Sequence, residues 1–543
     1  MSSETESLNA ARRIARERFG YERLTSEQEA AIQDLLEGHD TLAVLPTGSG
    51  KSAIYQIAGL LLPGPTIIIS PLIALQQDQV ESIEEHGVAE AASMNSSLPK
   101  TERQETLQEL EAGELEFLFL APEQFNRSET LERLREVRPS LFVVDEAHCL
   151  IEWGHDFRPD YLRLGALIEE LGHPRVLALT ATASPLMREE IMERLHLREP
   201  RVGVRGFDRP NIWLGVDRFD NERDKRQALL DQVAAAEKPG IAYAATHKHV
   251  EDSAQLLRDR GLKAAAYHGG LPAKEREATQ ERFMTGEIEV IVATTAFGLG
   301  IDKADVRFVF HADISDSVDA YYQEIGRAGR DGKPAKALLF YRPEDLGLRR
   351  FFAGGRKVDL EQVERVAEAV EEHAGPVDLP ELEQETGLSE GKVVTALTNL
   401  EEVGAVERLA TGEVIEQEVP ADVQEVAAEA VELDEQRRHI EESRIEMMRG
   451  YAEVEDCRRQ FLLNYFGEPY DDPCGACDNC EAGIQVEEGV EPIPLNSRVR
   501  HRAWGEGMVI RYEGDKMTVL FDTVGYKTLS IEVVTEVGLL EPA

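Results

Sequence analysis

The feature that most constrains this chain is a repeated alternation of short apolar runs with amphipathic helical stretches between about residues 41 and 341. The runs are rich in β-branched and aromatic residues, which favours strands. They cover residues 42–45, 66–69, 117–120, 141–144 and 176–179 in the first half and 241–244, 264–267, 290–293 and 308–310 in the second. Such alternation predicts parallel sheets covered by helices. We therefore expect two successive α/β lobes, joined by a linker at the Arg- and Pro-containing stretch 207–211.

The pattern changes after about residue 350. Three helical stretches (359–373, 379–385 and 390–403) precede two β-like runs (405–409 and 413–419), which predicts a winged-helix-like α+β segment. Lys392 is the only basic residue of the third helix, so a protein contact or spacer role is as plausible as reading a DNA groove.

The C-terminal end combines a helical stretch with a small β unit. A long acidic helical stretch is predicted over about residues 421–466, and four runs at 498–504, 508–512, 517–521 and 527–533 predict a small SH3- or Tudor-like β-barrel. The predicted domains are the first lobe (1–207), the second lobe (208–350), the winged-helix-like segment (351–420), a helical zinc-binding subdomain (421–485) and the barrel (491–543).

A glycine-rich loop follows the first predicted strand and precedes a helix. Its glycines let backbone N–H groups surround phosphate oxygens, while Lys51 can reach the β and γ phosphates and Ser52 can bind Mg²⁺. We call this segment the phosphate loop; its residues are Pro46, Thr47, Gly48, Ser49, Gly50, Lys51 and Ser52. A glycine-rich turn that binds nothing is the alternative, but the flanking strand and helix argue against it.

Two further segments carry the charges that phosphate chemistry needs. Asp145 and Glu146 follow the predicted strand 141–144, so we expect Asp145 to bind the metal of a nucleotide and Glu146 to orient or deprotonate water. In the second lobe, Gln323, Arg327 and Arg330 lie in a predicted helix, whose two guanidinium groups could meet a γ-phosphate across the cleft. A solvated basic helix end is the alternative.

Composition sets broader limits. No stretch approaches the roughly 20 apolar residues of a membrane span, and the polar N-terminus does not resemble a signal peptide, so we expect a cytoplasmic protein without membrane contact. The net charge of −44 does not exclude nucleic acid, because phosphate binding depends on the local field. The 59 basic residues comprise 14 Lys and 45 Arg, and this low share of lysine fits either a salt-rich cytoplasm or compositional drift.

Four of the five cysteines lie close together in the sequence. Cys457, Cys474, Cys477 and Cys480 form the pattern C-x16-C-x2-C-x2-C. Four thiolates at this spacing predict a closed, tetrahedral structural Zn²⁺ site, with chance clustering as the alternative.

These motifs together resemble the RecQ family of ATP-dependent DNA helicases, and the resemblance spans residues 20–345. It implies two RecA-like lobes that bind ATP with Mg²⁺, in which Tyr21 stacks on adenine, Gln28 reads the base edge, and Asp302 belongs to a second-lobe motif that contacts the nucleotide. Residues 145–148, Asp-Glu-Ala-His, form a DEAH box. The segment after it resembles the family's sensor of single-stranded DNA, and its expected DNA-binding residues are Trp153, His155, Phe157 and Arg158. A buried aromatic cluster is the alternative for that segment.

The resemblance also implies an activity. We expect a monomeric helicase that moves 3′→5′ on single-stranded DNA and unwinds duplex, forked or branched DNA in recombination and repair. A winged-helix-like segment before the cysteines departs from the family's layout, and the barrel's ligand stays open between a repair protein and nucleic acid. A translocase on duplex DNA or RNA and a DNA-bound scaffold are the rival functions.

Overall fold

The computed structural model describes residues 3–543 apart from 72, 86, 96–97, 127, 152–160, 162, 205, 299–300, 302, 354–356, 374, 410–412, 418–421, 469, 471 and 484–490. The chain forms two compact units. The first contains Met1–Leu346, Met447–Glu491 and Ile510–Asp515, and the second contains Gly347–Glu446, Pro492–Val509 and Lys516–Ala543.

The first lobe is a seven-stranded sheet of order β3-β4-β2-β5-β6-β1-β7, and all six neighbouring pairs of strands are parallel. Its central strands are fully buried four-residue segments such as Thr-Ile-Ile-Ile and Leu-Phe-Val-Val, as expected for strands covered on both faces. The strands are β1 Thr41–Val44, β2 Thr66–Ile69, β3 Ala91–Met94, β4 Phe117–Leu120, β5 Leu141–Val144, β6 Arg175–Thr180 and β7 Arg201–Val204. The helices are α1 Ser3–Phe19, α2 Ser26–Glu37, α3 Ser52–Leu61, α4 Ile73–Glu85, α5 Lys100–Ala112, α6 Ser128–Val137, α7 Leu164–Glu170 and α8 Pro185–Arg194, with 3-10 turns at Pro122–Asn126 and Ala147–Leu150.

The second lobe repeats this plan with a six-stranded parallel sheet of order β10-β11-β9-β12-β13-β8. Its strands are β8 Ile212–Arg218, β9 Gly240–Tyr243, β10 Ala264–Tyr267, β11 Val290–Ala293, β12 Phe308–His311 and β13 Ala335–Tyr341. Its helices are α9 Glu222–Ala235, α10 His247–Asp259, α11 Ala273–Met284 and α12 Val318–Ile325, with a 3-10 turn at Pro343–Asp345 before α13 Leu346–Ala353. The predicted pair of α/β lobes is confirmed.

The segment predicted as a linker lies between the two sheets, after β7 and before β8. Within this segment Phe207 is buried and Pro210 is exposed. The Phe207 side chain stacks on Phe466 with ring centroids 4.6 Å apart and meets Tyr322 edge-on at 5.7 Å. The linker is therefore packed into the first unit through Phe207.

The predicted winged-helix-like segment forms three helices and an antiparallel hairpin. These are α14 Leu360–Glu371, α15 Leu379–Thr386, α16 Glu390–Glu402, β14 Val406–Arg408 and β15 Val414–Glu416. Their apolar core also includes Val426, Ala427 and Ala430 of the next helix, so it extends beyond the predicted end of this segment at residue 420. Lys392, the basic residue of α16, donates to Gln362 of α14 at 3.0 Å, so its ammonium group contacts a neighbouring helix of the same segment.

The predicted acidic helical stretch contains two helices, α17 Val423–Glu453 and α18 Arg458–Tyr465, which are followed by the short α19 Asp478–Glu481. The C-terminal end is a five-stranded antiparallel sheet of order β19-β18-β17-β16-β20. Its elements are β16 Arg498–His501, β17 Gly505–Glu513, β18 Lys516–Phe521, β19 Gly525–Ser530, α20 Ile531–Val537 and β20 Leu540–Pro542. The SH3- or Tudor-like description of this sheet stays a prediction. Among the described residues, every helix is too short or too polar to cross a membrane.

Candidate nucleotide and zinc sites

The phosphate loop lies between β1 and α3 in the first lobe. Gly48 and Gly50 have φ angles of +80° and +73°, which residues other than glycine rarely adopt. Lys51 donates from Nζ to the Leu45 carbonyl at 3.2 Å, so its ammonium group lies inside the loop. The predicted loop is therefore present as a curved backbone around a cation.

Gln28 supports this loop from the side. Its Nε2 donates to the carbonyl oxygens of Ser49 and Gly50, each at 3.0 Å, and a Cβ at Gly50 would lie only 2.8 Å from that nitrogen. Its Oε1 accepts from the Thr25 N–H, which completes a capping box at the start of α2. To read an adenine edge, Gln28 would have to share this amide with the loop. Tyr21 remains 40% exposed.

Asp145 and Glu146 follow β5 at the carboxyl end of the sheet, beside the phosphate loop. Glu146 has a φ of +50°, a strained value for a residue with a side chain. Burial and the Glu146 carboxylate raise the pKa of Asp145 to about 7, against the lowering effect of Lys51. A divalent cation bound beside Asp145 would stabilise the ionised form of its carboxyl group.

His148 joins the two acids to the end of β6. Its Nδ1 lies 3.3 Å from the Glu146 carboxylate and 3.0 Å from the Thr180 hydroxyl. Thr180 in turn donates to the Thr182 carbonyl at 3.0 Å. The acid that would orient water is therefore connected to the segment 180–183.

The arginines of the second lobe approach the phosphate loop. A Cβ on Gly48 would lie 3.4 Å from Arg330 Cδ, and one on Gly326 would lie 4.0 Å from the Thr47 hydroxyl. The prediction that both arginines lie on a helix is wrong, because α12 ends at Ile325 and they occupy the turns that follow. Gln323 is the only one of the three predicted residues that lies within α12.

The residues at this cleft fit an ATP molecule with Mg²⁺. Among the described atoms, the Ser49 hydroxyl and Arg327 Nε are buried without a hydrogen-bond partner, as expected for groups that await phosphate oxygens. Ser52 and Asp145 offer the oxygen ligands that Mg²⁺ prefers. Asp302 lies outside the described residues, as do the four predicted DNA-binding residues Trp153, His155, Phe157 and Arg158.

The four predicted zinc ligands come together. The Sγ atoms of Cys457, Cys474, Cys477 and Cys480 all lie within 4.8 Å of one another, and those of Cys474 and Cys480 are 4.0 Å apart. Tetrahedral zinc with Zn–S bonds of about 2.3 Å needs sulfur atoms roughly 3.8 Å apart, so the cluster fits a structural Zn²⁺ ion.

The zinc region, which consists of α18, α19 and the four clustered cysteines, is docked on the edge strand β8 of the second lobe. The Leu214 N–H donates to the Ala476 carbonyl at 3.3 Å, Val216 N–H donates to Asp478 at 2.9 Å, and Trp213 Nε1 donates to Glu481 at 2.9 Å. These bonds cover backbone groups that an open sheet edge would expose.

Comparison with known proteins agrees with this geometry. Family models described as DEAD/DEAH box helicase, Helicase conserved C-terminal domain and RecQ zinc-binding match residues 25–189, 224–332 and 413–481. The ATP-dependent DNA helicase RecQ of a Synechocystis species is 34% identical over 495 residues, which cover 87% of this chain and 98% of that protein. This chain belongs to the RecQ family.

Other matches extend the comparison. The RecQ helicase of Pasteurella multocida is 36% identical over 463 residues, and the alignment covers 85% of this RecQ chain but only 61% of the length of that relative. The solved structure of the DUF1998 helicase MrfA bound to DNA and AMPPNP has a TM-score of 0.51 at 20% identity. That match covers 78% of this chain and 63% of the other, and it supports the fold alone.

Proposed function

We propose that this chain is an ATP-dependent helicase that moves 3′→5′ along single-stranded DNA and opens duplex or forked DNA during recombination and repair. The observation that carries the proposal is that the phosphate loop of one lobe and Arg330 of the other approach the same cleft. A cleft closed by groups from two lobes can link a change in its nucleotide to a movement of those lobes.

The chain's own residues have separable tasks in hydrolysis. The N–H groups of the phosphate loop and the Lys51 ammonium hold the phosphates, and Ser52 and Asp145 hold the metal. When bound, Mg²⁺ neutralises charge on the phosphate oxygens. Glu146 orients the attacking water and accepts its proton, and Arg327 and Arg330 stabilise the charge that develops on the transferred phosphoryl group.

The same contacts give the motor its two states. Arg327 and Arg330 gain a phosphate partner only while a γ-phosphate is present, so its loss favours separation of the lobes. Through His148, the Glu146 carboxylate is linked to Thr180. Directed movement further requires that the two states of the lobes bind DNA with different affinities.

Two measurements test the proposal against the rival translocases. Strand displacement from duplexes with a 3′ or a 5′ single-stranded tail should succeed only with the 3′ tail. ATP hydrolysis should be stimulated by single-stranded DNA more than by duplex DNA or RNA. Equal displacement from either tail would refute the polarity, and stimulation by RNA or duplex alone would favour a translocase that does not separate strands.

We also propose that the chain acts as a monomer and that its C-terminal sheet contacts a repair protein. His501 stacks on Trp504 with ring centroids 4.2 Å apart, next to the exposed Arg502. Partly exposed aromatic rings beside arginine are typical of interface centres. Light scattering during size-exclusion chromatography measures the oligomeric state, and a mass above one chain would contradict the monomer.

A further inference from the structure

Arg209, in the linker between the lobes, holds the segment 326–333 in place. We call it the finger segment, because it carries Arg327 and Arg330, the two arginine fingers. Its Nη1 donates to the Gly326 carbonyl at 3.0 Å, and its Nη2 donates to the carbonyls of Ala328 and Gly329 at 2.7 and 3.1 Å. These carbonyls flank Arg327 and immediately precede Arg330. One guanidinium group therefore holds the backbone on both sides of Arg327 and directly before Arg330.

The linker is itself held from the zinc region. Arg459 of α18, two residues after the zinc ligand Cys457, donates from Nη2 to the carbonyls of Arg209 and Ile212 at 3.2 and 2.7 Å. The Arg459 side chain is 5% exposed, and its Nη1 lies 3.4 Å from Asp208. A continuous set of hydrogen bonds thus runs from α18 through the linker to the finger segment.

Asn211 adds a second hold at the far end of the segment. Its amide donates to the carbonyls of Gly329 and Lys333 at 2.8 and 2.9 Å. A Cβ on Gly329 would lie 2.4 Å from this amide, so the segment needs glycine there. After α12 the segment continues as turns, in which the N–H groups of Arg327 and Ala328 donate to the carbonyls of Glu324 and Ile325 at 3.2 and 3.0 Å. The bonds from Arg209 and Asn211 add to these local bonds from outside the segment.

We propose that Arg209 is a positioning residue for ATP hydrolysis, and that Arg459 supports it from the zinc region. The inference rests on the proposed function, because it gives Arg209 a role through Arg327 and Arg330. An arginine finger acts only if its guanidinium meets the transferring phosphoryl group, and a misplacement of about 1 Å can cost roughly a hundredfold in rate. The zinc region thereby contributes to catalysis as well as to folding.

The shape of the side chain matters in this role. The planar fork of arginine reaches carbonyls on both sides of Arg327 at once, whereas lysine presents a single ammonium group. Arg209→Lys should therefore restore only part of the activity lost in Arg209→Gln. If Arg209→Lys recovered the wild-type rate, a single ammonium group would suffice. The idea that Arg209 positions Arg327 by contacting carbonyls on both sides of it would then be overturned.

A matched control exists in the same lobe. Lys238 donates to the carbonyls of Val233, Ala234 and Ala236 before the start of β9, and these carbonyls lie outside the segment that carries Arg327 and Arg330. Lys238→Gln also removes a cation that holds three carbonyls, and we expect it to leave the kcat for ATP unchanged. If it lowered kcat as much as Arg209→Gln, a general loss of lobe stability would explain both effects.

The experiment measures kcat and KM for DNA-stimulated ATP hydrolysis, zinc content and thermal midpoint in the full chain. For Arg209→Gln we expect kcat to fall about tenfold to a hundredfold, with KM changed less than threefold and one zinc ion retained. An unchanged kcat, or a rise in KM alone, would overturn the inference. Should Arg209→Gln fail to fold, the same comparison is made with Arg209→Lys.

A double-mutant cycle separates this role from stability. Because Arg209 acts through the fingers, Arg209→Gln should lower kcat little further in a chain that already carries Arg330→Ala and Arg327→Ala. If the fold losses in kcat caused by Arg209→Gln and by the two finger substitutions multiplied in the combined variant, the inference would be contradicted. Failure of the proposed function is distinguishable, because it would appear as absent strand displacement by the wild-type chain, whereas the inference about Arg209 is tested by the kcat of the variants for ATP hydrolysis.

Discussion

At the scale of single residues, His148 has an importance that its place in a four-letter motif does not convey. It is buried and bridges the Glu146 carboxylate and the Thr180 hydroxyl within one lobe. An imidazole in this position can transmit the state of the catalytic acid to segment 180–183. The connection gives a physical basis for the expectation that hydrolysis and movement are coupled.

We predict that His148→Ala lowers strand separation more than ATP hydrolysis. Coupling free energies of about 1–3 kcal/mol are usual, so a loss of roughly tenfold in bases opened per ATP is expected. The measurement is the ratio of the two rates on one substrate. Thr180→Val should give a similar ratio, and the double variant should be no worse than either single variant. A proportional fall in both rates would contradict the coupling role.

Asp313 is the centre of a buried ion network in the second lobe. It accepts from Lys225 Nζ at 3.1 Å, from the Ala245 N–H at 2.8 Å and from His249 Nδ1 at 3.2 Å. Burial would raise the pKa of Asp313, but the hydrogen bond from His249 and the charge of Lys225 hold it well below its usual range. The hydrogen bond that His249 donates to Asp313 also raises the pKa of His249.

We predict that Asp313→Asn lowers the free energy of unfolding by about 3 kcal/mol, because Lys225 loses a buried partner. The lowered pKa of Asp313 adds stability above its unfolded value near about 4, and this part is lost as the pH falls further. The raised pKa of His249 adds stability below about pH 6.5 that is lost as the pH rises. Urea unfolding should therefore give the largest difference between wild type and variant near pH 5. A difference independent of pH would refute the network.

Single residues also mark the limit of what the sequence predicts at the site. Lys51, Asp145, Glu146 and the four cysteines were identifiable because a strand, a loop or a fixed spacing accompanies them. Arg209 and Asn211 have no such signal, since their partners lie more than a hundred residues away in the chain. Their role follows only from the fold that brings the linker to the finger segment.

At the scale of elements, most of the central strands of the two lobes were predictable, whereas three of their four edge strands were not. Four-residue runs such as those of β2, β4 and β5 are apolar throughout, because helices cover both faces of the sheet. The strands β3, β7 and β8 were missed, and all three lie at sheet edges with more polar or smaller residues. The interior strand β13 was missed too, although it is buried almost throughout.

We predict that loss of zinc releases the elements docked on β8. Cys477 is fully buried and its backbone pairs with Leu214, so Cys477→Ser should lower zinc content and open residues 454–481 to proteases. Zinc stoichiometry and limited proteolysis measure the two effects. Cys149→Ser is the matched control, because Cys149 is also buried but lies outside the cluster. A variant that lost zinc yet stayed resistant would contradict a structural role for the metal.

At the scale of the whole molecule, the division into two compact units falls within strand β17 of the C-terminal sheet. Residues Ile510–Asp515 belong to the first compact unit, and the Arg511 guanidinium lies 4.1 Å from the centre of the Phe461 ring in α18. Arg511 is 6% exposed, so this contact is largely shielded from water. The sequence predicted a separate C-terminal domain but gave no sign of this contact.

We predict that removal of residues 491–543 lowers thermal stability but leaves kcat for ATP hydrolysis within about twofold. Cation–π contacts shielded from water contribute roughly 2 kcal/mol, and truncation removes this one and exposes Phe461. Arg511→Ala in the full chain should account for part of the stability loss. An unchanged thermal midpoint in both proteins would show that the contact contributes nothing.

We propose that one ATP molecule acts between the two lobes to separate DNA strands. The most direct test is a strand-displacement assay on a 3′-tailed duplex with wild-type chain, Lys51→Ala and Arg330→Ala, together with binding of a fluorescent ATP analogue. We expect ATP-dependent displacement by the wild type alone, with analogue binding and folding retained in Arg330→Ala. Displacement by either variant at the wild-type rate would contradict the claim.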